Sequence, residues 1–467
     1  MRRAVRRLLL IPAIVLVLLG APALALDAAP DRPPETGAVA LPGLDAAAQG
    51  ERAVADTPAD LVGVKWSGDP DAEFRIEVLR EGSDEWQPAG TLGGDDSGPD
   101  AGSADARASE QAVDGANVSE PVAVEDSTSV RVTVVSGSVT DVSVETVNSR
   151  DGSAPTGSAG AVGLSYPSSP DRYAYAIALV LAGVVLGAVA LGWTPWRSRR
   201  QIALFAVLTL VTLAACVPPP PPSPNGTQPQ QPAITMRSSW GSDLHWNPSP
   251  ECAPGPEYAG DVNFLVVHHT VNSNTYGPSE SRSWVRNIWA YHVNTRGYCD
   301  IAYNFIIDKY GQIFEGRQGG IDRAVIAAHT GGFNRESSGV ALLGRFDPRA
   351  EEPNPQVTTS AWNSMVDLLA WKLSVHKKNP ADGFSATSAG FGARWPEGTT
   401  VSFPNRITGH RDLWPTECPG ANMYSRLQEL QNAVQPKVGW EGPVATTTTS
   451  TPTSSTPTTS TTVAPAP

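Results

Sequence analysis

Phe264-Leu265-Val266-Val267-His268-His269-Thr270 is the stretch on which the reading of this chain turns. Phe264–Val267 is a short, continuous apolar run of the kind that forms a strand buried on both faces. It ends on two imidazoles. About 140 residues later comes Gly409-His410-Arg411-Asp412-Leu413-Trp414-Pro415-Thr416-Glu417-Cys418-Pro419-Gly420. The spacing from His410 to Cys418 is too wide for one helical turn, so both belong to a loop that folds back toward a strand end. Two imidazoles and one thiolate suit a catalytic zinc, because three protein ligands leave the fourth tetrahedral position open. That chemistry points to a metal-assisted hydrolase.

Around these segments the patterning alternates between strand and helix. Ser279 to His292 carries Trp284, Ile288 and Trp289 at helical spacing, and Ala361–His376 and Met423–Val434 have apolar helical faces. Tyr303–Ile307, the turn Asp308-Lys309-Tyr310-Gly311 and Gln312–Glu315 read as a hairpin, and Gly339–Leu343 as another apolar strand. The expected fold of residues 233–440 is α/β, a mixed central sheet covered by helices.

The rest of the 467 residues is organised differently. Arg2, Arg3, Arg6 and Arg7, the apolar Leu8–Leu19 and the small Ala23-Leu24-Ala25 read as a signal peptide over 1–25. Residues 26–60 read as flexible. Residues 61–148 read as a small acidic all-β domain of sandwich type, in which Val130, Val132 and Val134 alternate with Arg131 and Thr133. A linker over 149–173 leads to an apolar run, 174–193, long enough to cross a bilayer. Arg197, Arg199 and Arg200 follow it and are expected to stay cytoplasmic. A second hydrophobic segment, 202–216, ends in Leu213-Ala214-Ala215-Cys216, similar to a lipoprotein cleavage box. Either the two runs form a helical hairpin or Cys216 is lipidated after internal cleavage. Both readings tether the later residues outside the cytoplasm. A Pro-rich spacer, 217–232, precedes the α/β domain, and a Thr/Ser/Pro-rich tail, 441–467, cannot bury a core.

Charge narrows the partners. The net charge of -13 argues against nucleic acid. Residues 27–172 hold 27 acidic against 9 basic side chains, so the remainder is mildly basic and suits an anionic polymer such as bacterial cell wall. Of four cysteines, Cys252 and Cys299 are expected to pair in an oxidising compartment. The rival pairing through Cys418 would destroy the metal set.

Seven segments in order then carry a resemblance: Arg237-Ser238-Ser239-Trp240-Gly241, Val267-His268-His269-Thr270, Asp300–Asp308, Gly311–Arg317, Ala328–Asn334, Gly339–Gly344 and Gly409–Gly420. Residues 236–435 resemble the family of peptidoglycan recognition proteins and type 2 N-acetylmuramoyl-L-alanine amidases. The acidic β-domain is similar to modules that precede amidases of actinobacteria. The resemblance implies Zn2+ held by His268, His410 and Cys418, and Tyr303 as a catalytic residue. Thr416 stands where relatives carry Lys or Thr and is a further catalytic candidate. His329 and Asn334 match the motif lining the substrate groove. Arg317, at the hairpin end, is either a substrate contact or half of a structural ion pair with Glu315. His269 is read as packing or supporting the site, and as a candidate substrate contact; His292 reads as core-facing. The implied activity is hydrolysis of the amide between N-acetylmuramic acid and L-alanine of peptidoglycan, by a monomeric catalytic domain tethered outside the cytoplasm. The alternatives are a non-catalytic peptidoglycan-binding module and a structural wall anchor.

Overall fold

The computed structural model describes residues 33–44, 47–93, 98–149, 229–348, 353–390 and 392–438. The expected signal peptide, both hydrophobic runs, most of the spacer and the tail lie outside them. Among the described residues no helix is long and apolar enough to cross a membrane.

The N-terminal domain is built on eight strands: β1 (Glu35–Ala40), β2 (Arg52–Ala55), β3 (Ala59–Gly68), β4 (Glu73–Arg80), β5 (Gln87–Leu92), β6 (Asn117–Val118), β7 (Val122–Ser136) and β8 (Val139–Asn148). They form one hydrogen-bonded sheet in the order β1-β8-β3-β7-β4-β5, with β2 on β7 and β6 on β3, rather than the two separate sheets of a sandwich. The alternation at Val130, Val132 and Val134 does mark the core face, where they pack with Val62, Val64, Trp66, Phe74 and Ile76. Val122–Val124 and Val130–Val135, two apolar runs that the sequence reads as separate strands, are continuous as β7. Its first residues pair with β3 and its later ones with β4 and β2, which lets one long strand serve three partners.

One expectation for this region is corrected. Residues 26–60 are not uniformly flexible: from Glu35 on, β1 pairs antiparallel with β8 and β2 with β7. Edge pairing of this kind uses backbone groups, so a sequence such as Glu-Thr-Gly-Ala-Val-Ala carries little apolar signal for it. The domain is all-β as expected, with one helix added between β5 and β6. Helix α1 (Ala104–Val113) starts where Ser103 caps it, its hydroxyl accepting from the Ala106 amide.

The second domain holds a six-stranded sheet: β9 (Ile234–Thr235), β10 (Phe264–His269), β11 (Phe305–Ile307), β12 (Ile313–Glu315), β13 (Ser337–Leu342) and, after the small hairpin β14 (Phe384–Thr387) and β15 (Thr400–Phe403), β16 (Ile407–Gly409). Its order is β16-β10-β13-β11-β12-β9. β10 runs parallel to both neighbours and β11–β12 is the antiparallel hairpin read from the sequence, so the sheet is mixed. The helices are α2 (Arg237–Trp240), α3 (Ser281–Ala290), α4 (Thr359–Val375), α5 (Ala421–Tyr424) and α6 (Leu427–Val434). α4 and α6 cover the face presenting Leu265, Val267, Phe305 and Leu342. α3 covers the face presenting Ile306, Phe314 and Ala341, through Trp284, Val285 and Ile288.

Cys252 and Cys299 form a disulfide, in line with the expected pairing. It closes a loop of sequence separation 47. Loop-closure entropy for that length is worth about 4 kcal/mol. Replacing both residues by alanine is expected to lower stability by roughly that amount, read as a shift in the midpoint of denaturant unfolding.

The two domains share a buried polar interface. Arg317 makes a two-point ion pair with Asp105 of α1 at 2.6 and 2.7 Å, and Asp105 also accepts from the Cys299 amide. Asp100 accepts from the Asn334 amide and side chain, both at 3.0 Å. Arg296 donates to Glu120 at 2.6 Å. Tyr291 lies over Gly63 of β3, where an added Cβ would fall 1.7 Å from its hydroxyl oxygen, and that hydroxyl donates to the Ser119 carbonyl.

Candidate metal centre

The position of the site follows from strand geometry. Successive side chains on a strand point to opposite faces. At the end of β10 this sends His268 to the side of Val266 and His269 to the side of Val267. β16 pairs with β10 so that Gly409 lies opposite Val267, and His410 therefore emerges beside His268, with ring centroids 4.4 Å apart. Both imidazoles stand at the carboxyl ends of adjacent parallel strands, the usual place for a ligand in such sheets. The loop after β16 then returns Cys418. Its Sγ lies 3.7 Å from Nδ1 of His268, and the donor atoms of His268, His410 and Cys418 all fall within 4.8 Å of one another.

Asp412 holds that loop. Its carboxylate accepts from the Thr408 hydroxyl, the Gly409 amide and the Tyr424 hydroxyl at 2.6–2.9 Å. The Arg411 amide donates to the Cys418 carbonyl, and the Cys418 amide to Oγ1 of Thr416. Thr416 is half-buried, shapes the loop and reaches the cavity above it.

The donor set fits zinc. Tetrahedral bonds of ordinary length put sulfur and nitrogen ligands ~3.6 Å apart, close to the 3.7 Å found. Burial holds the His268 imidazole well below its usual pKa and pushes His410 down to about 3, so both are neutral donors at pH 7. Nε2 of His410 is buried with no hydrogen-bond partner among the described residues. Sγ of Cys418 accepts from the His269 amide at 3.4 Å, a contact that favours thiolate over thiol.

The remaining residues named from the sequence are placed as follows. Tyr303 is largely buried, its ring 5.3 Å from that of His268, and it lines the cavity above the three donors. His269 packs toward Phe346, whose amide donates to its Nδ1, and also lines that cavity. His292 is core-facing, stacked on Tyr298. Three residues read as groove contacts have protein partners in this arrangement. His329 is 0% exposed, and its Nδ1 meets Nε2 of His268 at 2.9 Å while its Nε2 meets the Ser337 hydroxyl at 3.2 Å. Asn334 is also 0% exposed, bonded to Asp100 and to the Gly98 carbonyl. Arg317 pairs with Asp105, not with Glu315, which instead accepts from the Arg237 amide. The His329 ring lies flat against β13 at Gly339, where an added Cβ would come within 2.5 Å of it.

Sequence reasoning missed Glu73, Thr91, Gly93, Glu120 and Pro121. These residues of the N-terminal domain line the same cavity, of about 820 Å³, as Tyr303, His410 and Cys418. Nothing local in their sequence signals this, since the second domain brings them there.

Residues 258–421 match the family described as N-acetylmuramoyl-L-alanine amidase. The chain is 27% identical over 199 residues to peptidoglycan-recognition protein SC2 of Drosophila simulans, covering 43% of this chain and 86% of that one. It is 28% identical over 172 residues to peptidoglycan recognition protein 1 of Mus musculus, covering 37% and 76%. Among solved structures, the N-acetylmuramoyl-L-alanine amidase endolysin LysCS of Clostridium intestinale aligns at 22% identity and a TM-score of 0.30, covering 44% of this chain and 98% of that one.

Proposed function

Because residues 258–421 belong to the family of peptidoglycan recognition proteins and type 2 N-acetylmuramoyl-L-alanine amidases, we propose that this chain is a zinc-dependent amidase. It cleaves the amide between the lactyl group of N-acetylmuramic acid and L-alanine of the peptidoglycan stem. The observation that carries this reading is the convergence of His268, His410 and Cys418, the last two of which line a cavity.

Zinc, held by these three residues, would polarise the scissile carbonyl and acidify an attacking water. The chain's own groups do the rest. For Nδ1 of His268 to offer its lone pair toward Cys418, its Nε2 must carry the proton. That N–H donates to Nδ1 of His329, whose Nε2–H donates to Ser337, whose hydroxyl donates to the Phe333 carbonyl at 2.7 Å. The series fixes both tautomers and the orientation of the ligand ring. The Tyr303 hydroxyl, at the cavity wall, is the group suited to donate to the carbonyl oxygen as negative charge develops on it. Thr416 keeps the cysteine loop in shape. The Cys252–Cys299 disulfide fits an exported, extracytoplasmic domain.

His329→Phe preserves a buried ring but removes the acceptor for His268. It is expected to weaken zinc binding ~10–100-fold, measured by chelator competition; wild-type affinity would remove His329 from the support of the ligand.

The reading is tested with the full chain, by zinc content and by new L-alanine amino termini from peptidoglycan. One zinc per chain, with release lost on chelation and restored by zinc, supports it. Binding to peptidoglycan with no cleavage, by the zinc-loaded protein, of either the intact wall or a soluble N-acetylmuramoyl peptide makes the recognition-module reading the correct one.

A further inference from the structure

The cavity over the metal centre has one wall from each domain. The floor and one side come from Tyr303, His410 and Cys418, the facing side from Glu73, Thr91 and Glu120 of the N-terminal domain. We infer that the N-terminal domain sets the substrate class of this site by closing it to the polymeric wall, so that it accepts soluble muropeptide fragments. The inference rests on the amidase reading above.

Three observations carry it. First, the two domains meet through desolvated polar contacts. Arg317 is 4% and Asp105 is 7% exposed, and their two-point pair is backed by the Ile301, Ile326 and Asp300 carbonyls around the guanidinium. Paired charges shielded from water hold their geometry, because separating them leaves each one buried and uncompensated. Second, polar groups read from the sequence as candidate substrate contacts are already taken. Asp105 occupies Arg317 and Asp100 occupies Asn334. A substrate reaching the metal centre therefore meets the two-walled cavity and not an open groove along the second domain. Third, the size fits a fragment. The cavity is half-open, and its volume of about 820 Å³ is in the ~300–1,000 Å³ range of sites that take a single small ligand. A glycan strand with its cross-links needs room to run through, and residues of β4, β5 and the segment before β7 narrow the cavity from the N-terminal side.

The test compares two substrates with the zinc-loaded full chain: a soluble N-acetylmuramoyl tripeptide and intact purified cell wall. Both are read as new L-alanine amino termini, per accessible amide bond. The soluble fragment is expected to be cleaved at least tenfold faster. Asp105→Asn and Asp100→Asn, each loosening the contact from the N-terminal side, are expected to raise cleavage of intact wall severalfold and leave the soluble rate unchanged. Equal wild-type rates on the two substrates overturn the inference. So does a preference for the fragment that neither variant alters, since the N-terminal domain would then not be its cause. Should Asp105→Asn fail to fold, the wild-type ratio and Asp100→Asn still decide. Zinc bound with neither substrate cleaved would instead refute the amidase reading itself.

Discussion

Cys418→Ser is expected to lose zinc and, with it, all but a trace of amidase activity. The substitution is nearly isosteric, a serine oxygen can still accept from the His269 amide, and the other loop bonds around residue 418 are made by backbone atoms, by Thr416 and by Asp412, so the fold should persist. What changes is the donor. A thiolate binds zinc as an anion, whereas a serine hydroxyl stays protonated near neutrality and offers a weak neutral oxygen. Losing an outer partner of a ligand already costs 10–100-fold in metal affinity, so losing the ligand is expected to cost more than ~100-fold. The checks are zinc content after gel filtration and release of L-alanine termini from the soluble fragment. Wild-type zinc content with wild-type release would sink the ligand assignment.

The second large effect is expected from Tyr303→Phe, and it separates binding of metal from chemistry. The ring sits between His268 and His292, at centroid distances of 5.3 and 5.7 Å, and phenylalanine keeps both contacts. Zinc content should therefore be unchanged. Removing one preorganised donor to a developing oxyanion costs ~10²–10³ in kcat. The expected outcome is a fall of that size in kcat with little change in KM, measured on the same soluble fragment. An unchanged kcat would take Tyr303 out of the mechanism, while a loss of zinc would make it structural.

Much of the metal site was legible in the chain because its information is local. An apolar run ending in His-His and a loop reading Gly-His-Arg-Asp…Cys-Pro-Gly each deliver donors whatever else surrounds them. The same holds for Val130, Val132 and Val134, whose period of two announces a half-buried strand. The illegible parts are set at a distance. Asp105 meets Arg317 across 212 residues and Asp100 meets Asn334 across 234, and no window of sequence links them. His329 was read as a groove residue from the family resemblance alone; the packing of β13 against β10 is what turns it inward toward His268. α1 was hidden by its setting, since Ala-Asp-Ala-Arg-Ala-Ser-Glu-Gln has helix formers but no apolar stripe and follows a Gly/Asp/Ser-rich stretch.

β10 raises a question about how its alignment is specified. A strand with one wet face is pinned by its own pattern, because slipping one place exposes its apolar side chains. Phe264-Leu265-Val266-Val267 is apolar at every position and buried on both faces, so it is indifferent to such a slip; even the following residue would still be a histidine. The anchor lies next door. Val266 is opposite Gly339, the one residue type in β13 whose missing side chain leaves room for the His329 ring. Once that ring is seated, its nitrogen is met by His268 and not by His269. The choice of which imidazole serves as donor is thus encoded in the neighbouring strand, by an absence of atoms.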